Sequence, residues 1–546
     1  MTGQTFRSYW DLPQQGRRRL FIALALANGL WGAYYLSWRV TSTINTAALW
    51  LAIPLLVVEV YAYFGALMFM AGMWQPRNRD TLSLKEMLPR LEPPDVDIFI
   101  THYNEGREII EPTVRGCLRL EYPHEKLHIY VLDDGKVAEV ASMAQELGVY
   151  YLTRPTNLHF KAGNINHALL EAGTYGEFIL TLDCDHIPKP ELLQRVLPYF
   201  YELKDDRWQA NQVAFVQTPQ AFYNLPSGDP FGHRASLFYG PIQQGKDGLG
   251  AAFYTGTNAV LRREAIVQVA MQRLAGQIQR QGVDKALAHF EYEGGLSTTS
   301  ITEDMETALN LHARGWQSVY HHEVLAEGLA PEDLHATLKQ RLRWAQGTIQ
   351  VLLRDNPLFK PGLSFGQRLA YFQTMYSYFG GFAVVVYLVC PIVYFLTGIA
   401  PVRALNTAFV FHLVPFLILN RLTFVTSSWG IPPQELWRAE QFAVALFPLH
   451  IQAVWSVLTG RKIKFEVTPK QRSSGRYLGL IKPQIAIMAL TVTSALVAGI
   501  RLVLGKGTLD PEGFFVNLAW SAYNFTLLWA AVRAATWSGS RDPSTT

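Results

Sequence analysis

Six stretches of about twenty mostly apolar residues, split two and four around a long polar insert, constrain this chain more than any other feature. A bilayer-spanning helix needs ~20 such residues. The stretches that qualify lie at roughly 20–38, 48–72, 377–399, 404–424, 478–504 and 514–535. The first ends in YYLSWRV rather than a small-residue cleavage site, and a second follows at once, so it reads as a span and not as a removable signal. A further stretch at 442–459 carries Pro448, His450 and Gln452 and follows the polar PPQELWRAE, which predicts an amphipathic helix lying in the interface.

Basic residues orient the spans. Arg7, Arg17, Arg18 and Arg19 precede the first, whereas the hairpin VTSTINT has only Arg39 at its edge. Between the fourth and fifth spans stand Arg438, Arg461, Lys462, Lys464, Lys470, Arg472 and Arg476, against Arg403, Arg501 and Lys506 on the opposite side. Both termini and the insert at about 74–364 are therefore expected in the cytosol. The composition agrees: 49% of residues are apolar and only 17% charged, below the roughly 25% of soluble chains. With 48 basic and 44 acidic residues, neither disorder nor nucleic-acid binding through bulk basicity fits. Cys117, Cys184 and Cys390 are too scattered for a disulfide framework or thiolate zinc site.

The insert alternates short apolar runs with helical segments. VDIFITHY (96–103), LHIYVLDD (127–134), VYYLTR (149–154), EFILTLDCD (177–185) and VAFVQTP (213–219) read as strands. REIIEPTVRGCLRL (107–120) and KVAEVASMAQELG (136–148) read as helices between them. This pattern predicts a mostly parallel sheet covered on both faces, with ligands bound beyond the carboxyl ends of its strands. Two strands end in acids, Asp133-Asp134 and Asp183-Cys184-Asp185-His186. Neither glycine-rich phosphate motif of nucleotide-binding proteins occurs.

Asp183 and Asp185 flank one residue at a turn, where both carboxylates can face one Mg²⁺ or Mn²⁺ ion. A lone D-x-D is more often turn chemistry, so its weight comes from the motifs around it. Thr302-Glu303-Asp304 opens a predicted helix. Thr302 can cap it with the acids complementing the helix dipole, and Asp304 can also serve as a general base for an attacking hydroxyl. In QRLRW (340–344), Gln340, Arg343 and Trp344 are three and four residues apart and share a helix face. Arginine there can clamp a diphosphate and the indole can carry a sugar ring, or the helix can simply lie in the interface with its arginines snorkelling. KFEVTPKQRSSGR (464–476) by itself reads as a solvated basic loop.

Taken together, HYNE (102–105), LDDG (132–135), FKAGNINHAL (160–169), LDCDH (182–186), VQTPQAFYN (216–224), TED (302–304), QRLRW (340–344) and FEVTPK (465–470) resemble the processive family-2 glycosyltransferases, most closely cellulose synthase catalytic subunits. The resemblance covers roughly 95–475. It implies an α-helical transmembrane bundle of about six spans plus interfacial helices, carrying a large cytosolic α/β glycosyltransferase domain of the nucleotide-diphospho-sugar type. The expected parts are an N-terminal segment with two spans (1–73), the glycosyltransferase domain (74–364), two spans (365–424), an interfacial helix with a gating loop (425–477), and two spans with a short tail (478–546). Expected partners are a UDP-sugar donor, a growing polysaccharide and the lipid bilayer, and the expected setting is a bacterial-type inner membrane.

By the same resemblance, Tyr103, Glu105 and Asp133 would hold the uridine and Lys161 the diphosphate, lined also by Gln340 and Arg343. Asp183, Asp185 and His186 would bind Mg²⁺ or Mn²⁺. Asp304 would be the base, Trp344 the acceptor platform, and Phe465, Val467, Thr468 and Lys470 the contacts of a gating loop. The implied reaction polymerises UDP-glucose into a β-glucan, β-1,4 first, with inversion and export across the membrane. Other linkages, chitin- or hyaluronan-like polymers, and a non-processive lipid-acceptor transferase are the alternatives. Departures from the family pattern are His102 in place of the usual Thr, only two spans ahead of the catalytic domain, and no cyclic-di-GMP-binding barrel after the last span. They leave regulation and an accessory export subunit open.

Overall fold

The computed structural model describes residues 15–80, 82–87, 90–226, 228–287, 295–403, 407–428, 430–461, 477–505 and 509–537. Seven strands form the main sheet: β1 Val96–His102, β2 Leu127–Asp133, β3 Tyr150–Leu152, β4 Phe178–Asp183, β5 Val213–Gln217, β6 Ala259–Arg262 and β7 Gln317–Tyr320. They lie in the order β7-β5-β6-β4-β1-β2-β3. All neighbours are parallel except β6, which runs antiparallel to both β4 and β5.

The strands are apolar on both faces because both faces are covered. Ile98, Ile100, Val131, Leu180, Leu182 and Val260 pack beneath the helices Arg107–Leu118 and Ala138–Leu147. Phe99, Leu132, Ile179, Phe215 and Leu261 face the opposite layer, with Ile165, Ile266 and Leu309 from the helices Phe160–Leu170, Arg263–Gln281 and Glu303–His312. Register decides where the polar ends fall: His102 pairs with Asp133 and Thr101 with Asp183. The carboxyl ends of β1, β2 and β4 are therefore level. Because β1 sits between β2 and β4, the chain leaves neighbouring strands in opposite directions and opens a crevice there.

Among the described residues, five helices are long and apolar enough to cross a membrane: Gln15–Ser42, Thr46–Gly72, Gly380–Thr397, Thr407–Ser427 and Leu478–Val503. They fall on the first five expected spans. The sixth expected span, 514–535, lies within the helix Pro511–Thr536, which is not one of the five. The single interfacial helix expected at 442–459 is instead the junction of two helices, Pro433–Ala445 and Phe447–Leu458, which meet at 47° and together are apolar enough for a broken span or a re-entrant pair. Pro448 stands in the first turn of the second helix, where its missing N–H is tolerated, and this favours the break at Leu446.

The helix Leu334–Arg354, capped by the Asp333 side chain on the Ala336 amide, docks the α/β domain on this bundle. Ala345 and Ile349 pack against Leu449, Ala453 and Val454, and Gln346 donates to Ser456 Oγ at 2.7 Å. Within the bundle, buried Arg39 pairs with Glu59 at 2.9 Å and Tyr35 donates to the same carboxylate at 2.8 Å. Glu59→Gln would leave the Arg39 charge buried without its counter-charge. We predict a loss of ~3–5 kcal/mol, read as a lower unfolding midpoint in detergent, and substantial recovery in the Arg39→Met/Glu59→Leu pair. Equal midpoints for Glu59→Gln and the parent chain would refute the assignment.

Candidate active site

The crevice at the strand ends widens into a cavity of about 520 Å³. Tyr103, Glu105, Lys161, Asp183, Asp185, His186, Asp304, Gln340, Arg343 and Trp344, all singled out by sequence, line it. They arrive from five segments: the turns after β1 and β4, the starts of the helices Phe160–Leu170 and Glu303–His312, and the helix Leu334–Arg354.

After β1, the Glu105 carboxylate accepts from the Tyr103 and Asn104 amides at 3.1 Å, folding this short loop around its own acid. After β2, Asp133 is fully buried and takes no place on the cavity wall. Its oxygens accept from His102 Nδ1 (2.8 Å), the Gly135 and Val137 amides (both 2.7 Å) and the Tyr151 hydroxyl (2.7 Å). The Asp133 carboxylate, expected at the uridine, is engaged by the turn here, and Asp134 is the acid of the pair that lines the cavity. A Cβ at Gly135 would run into the Tyr103 carbonyl oxygen, so glycine lets the two loops touch.

Arg154, 1% exposed, grips Asp134 with two bonds of 2.6 and 2.7 Å and donates to the Leu158 and Phe160 carbonyls. That clamp holds His159 (φ 59°) and Phe160 (φ 47°) in left-handed conformations and delivers Lys161 in the next turn. The Lys161 ammonium pairs with Asp183 and donates to the Gly256 carbonyl at 2.8 Å. Burial opposes its charge, but the carboxylates of Asp183, first, and of Glu303 and Asp304 outweigh it and hold the amine above the usual lysine range.

Asp183, Asp185 and His186 offer ligand atoms that all lie within 4.8 Å of one another. Two carboxylates and an imidazole are a donor set that suits Mg²⁺ or Mn²⁺. Asp185 is oriented by the Leu329 amide at 2.9 Å, and His186 Nδ1 lies 3.3 Å from Asp185.

Thr302 stands at the N-cap of Glu303–His312, but its hydroxyl does not cap the helix; it meets Ser300 Oγ at 3.1 Å. Asp304 accepts from the Met305 amide at 2.7 Å. Burial, then the adjacent Glu303 carboxylate, push its carboxyl up to about 7, against the pull of Lys161 and Arg343. A Cβ at Gly256, whose φ is +88°, would meet Asp304 Oδ2 at 3.3 Å and Lys161 Nζ at 3.8 Å. Thr255, Gly256, Asn157 and Phe160 line the cavity without having been singled out as site residues by sequence. The glycine in TGTN, between two apolar runs, was the available signal.

Gln340, Arg343 and Trp344 line the cavity together, as their spacing on one helix requires. Arg341 lies over the Trp344 ring at 5.4 Å and lines a second cavity of about 780 Å³, bordered by the membrane-type helices. Phe465, Val467, Thr468 and Lys470 lie outside the described residues.

The family described as "Glycosyltransferase like family 2" matches residues 93–347, and that described as "Cellulose synthase" matches 283–506. "Cellulose synthase 1" of Komagataeibacter xylinus is 34% identical over 538 residues, 94% of this chain and 32% of that one. The UDP-forming catalytic subunit of cellulose synthase 1 from the same organism is 32% identical over 96% of this chain and 67% of its own. The UDP-forming catalytic subunit of Pseudomonas fluorescens is 30% identical over 95% and 67%. The chain thus spans about a third of the first relative and about two thirds of the others. A mannosyltransferase from Pyrobaculum calidifontis, solved with GDP-Man and Mn²⁺, is 17% identical with a TM-score of 0.47, covering 76% of this chain and 100% of its own.

We predict that Gly135→Ala drives the Tyr103–Glu105 loop out of place. UDP affinity, measured by titration calorimetry on the full chain in lipid, should fall at least roughly tenfold while the bundle stays folded. Unaltered affinity would show that the loops do not depend on this contact.

Proposed function

Because the chain belongs to the cellulose synthase family, we propose that it is a processive, inverting glycosyltransferase that polymerises UDP-glucose into a β-1,4-glucan and passes the product through its own helices. One observation carries this reading: motifs spread from residue 103 to residue 344 converge on a single cavity in which a metal-type donor set, two cations, a half-buried carboxylate and an indole face one another.

Tyr103 and Glu105 serve the nucleoside end, and Asp133 serves it through the turn it holds. Lys161, Gln340 and Arg343 serve the diphosphate, with charge-assisted bonds that suit phosphate oxygens. Asp183, Asp185 and His186 would hold Mg²⁺ or Mn²⁺, which would offset charge developing on the departing UDP. Asp304 takes the proton from the acceptor hydroxyl as it attacks opposite the UDP; one displacement inverts the anomeric carbon. Trp344 stacks the acceptor sugar, because an aromatic face binds a ring without fixing its hydroxyl register. The gating role of the FEVTPK segment, which lies outside the described residues, rests on the family resemblance alone.

The second cavity supports export. Arg341, one residue beyond Gln340, lines it together with Tyr61, Tyr376, Tyr378 and His450, so the acceptor end and the membrane helices meet on one helix. The six apolar stretches of the sequence support six crossings, and the basic-residue pattern supports a catalytic domain and both termini in the cytosol of a bacterial-type inner membrane.

The test is purified protein in lipid with labelled UDP-sugars and either cation, followed by digestion with linkage-specific hydrolases. A β-1,4-glucan formed from UDP-glucose only when a divalent cation is present is expected; a single sugar added to lipid would favour the non-processive reading.

Two predictions follow from the geometry. A base must be ionised to accept the proton, so turnover should rise with pH through about 7, where burial and Glu303 have put the Asp304 carboxyl. Glu303→Gln removes the like charge and should move that limb to lower pH, while Asp304→Asn should cut turnover by ~10²–10⁴-fold. A pH–rate profile unmoved by Glu303→Gln would refute the tuning. Trp344→Ala should weaken the hold on the polymer end by ~1–2 kcal/mol. Product chains should shorten while UDP affinity survives; full-length polymer at the parent rate would remove Trp344 as the platform.

A further inference from the structure

His102 is the last residue of β1, opposite Asp133. Its buried ring stands between two atoms that can only accept. Nδ1 lies 2.8 Å from an Asp133 carboxylate oxygen, and Nε2 lies 2.7 Å from the Glu105 carbonyl oxygen. A neutral imidazole has one N–H and would set a bare nitrogen lone pair against one of these oxygens; an imidazolium satisfies both. The ring thereby ties the turn after β2 to the loop that carries Tyr103 and Glu105 into the cavity.

Among the described residues, the charged groups facing the ring are Asp133, from β2, and the Glu105 carboxylate, 3.8 Å from Nε2. The next acids on packed elements are engaged elsewhere, Asp134 by Arg154 and Asp183 by Lys161. Burial opposes the ring's charge, but the bonds to Asp133 and to the Glu105 carbonyl and the two nearby carboxylates outweigh it, raising the ring above the ordinary histidine range.

We infer that His102 is held as an imidazolium and acts as a positioning residue for the nucleotide-facing loop, so that affinity for the nucleotide-sugar depends on a proton that never touches it. This rests on the donor site proposed above. The sign follows from the raised value: the contribution is complete below about pH 6.5 and is lost as pH climbs through the native value.

The experiment uses the full chain in lipid with Asp304→Asn, which blocks turnover and removes the nearby titration. UDP-glucose affinity with Mg²⁺ is measured from about pH 6 to about pH 8.5, around the imidazole range. Affinity should fall several-fold across this range, whereas adding His102→Thr should give weaker binding at low pH that no longer responds to pH in this way. Uridine, which has no phosphate and needs no cation, should show the same fall, a readout that stands even where the threonine variant does not fold. A flat response with His102 in place, or a parallel fall in the threonine variant, overturns the inference. Absence of UDP-glucose binding at every pH would instead remove the donor-site reading.

Discussion

The helix Leu334–Arg354 has to satisfy two environments at once, and the rest of the molecule is arranged around that division. One face turns Gln340, Arg343 and Trp344 to a charged cavity; another buries Ala345 and Ile349 against Leu449, Ala453 and Val454. A helix advances 100° per residue, so a one-residue slip would send the arginine and indole into apolar helices. Asp333 fixes its start, the Gln346–Ser456 bond fixes its roll, and Gly347 lets it approach Thr302 so closely that a Cβ there would meet the threonine methyl at 2.5 Å. The position of the membrane helices and that of the TED acids are thereby set by the same element.

Charge within the cavity is organised by burial as much as by pairing. Asp183, Asp185, Glu303 and Asp304 face Lys161 and Arg343, so acids outnumber the cations on this wall. Such a cluster costs free energy unless protons, cations or hydrogen bonds offset it. The protein divides the work. Asp185 is tied by a backbone amide and Asp183 by Lys161, which suits the oxygen-ligand role proposed for them. Glu303 and Asp304 sit side by side, where loss of solvent raises both carboxyls and the Glu303 charge adds to the rise at Asp304. The same residue type is thus suited to the proposed ligand or base role according to its surroundings.

Much of this was legible in the sequence, for identifiable reasons. The strands β1, β2, β4 and β5 are long apolar runs ending in acids or turns, and the apolar runs over the first five candidate spans exceed any soluble alternative. β6 and β7 escaped notice because each is four residues long, and Ala259-Val-Leu-Arg262 emerges from a glycine-rich stretch with no periodicity of its own. The break near Leu446 was hidden because hydropathy averages across it, though Pro448 marked the place. Asp133 shows the deeper limit: a motif names a residue's neighbourhood, not the direction of its side chain. Only the register of β1 on β2 reveals that Asp133 faces His102 and the turn, leaving the cavity to Asp134.

The two ends of the site are built to different tolerances, and the difference matches what each must do. At the donor end, Arg154 holds two non-glycine residues in left-handed geometry, each costing ~1–3 kcal/mol, and the surrounding bonds compensate so that Lys161 has one position. Precision there suits a ligand that must present one anomeric carbon to one hydroxyl. At the end proposed for the acceptor lie the Trp344 ring, the guanidinium above it, and beyond them the tyrosines of the second cavity. Those surfaces offer area with little directional demand. On the proposed processive reaction, a polymer that advances after each transfer has to be held strongly enough to stay and weakly enough to slide. Stacking meets that requirement where a fixed set of hydrogen bonds would have to be broken at every step.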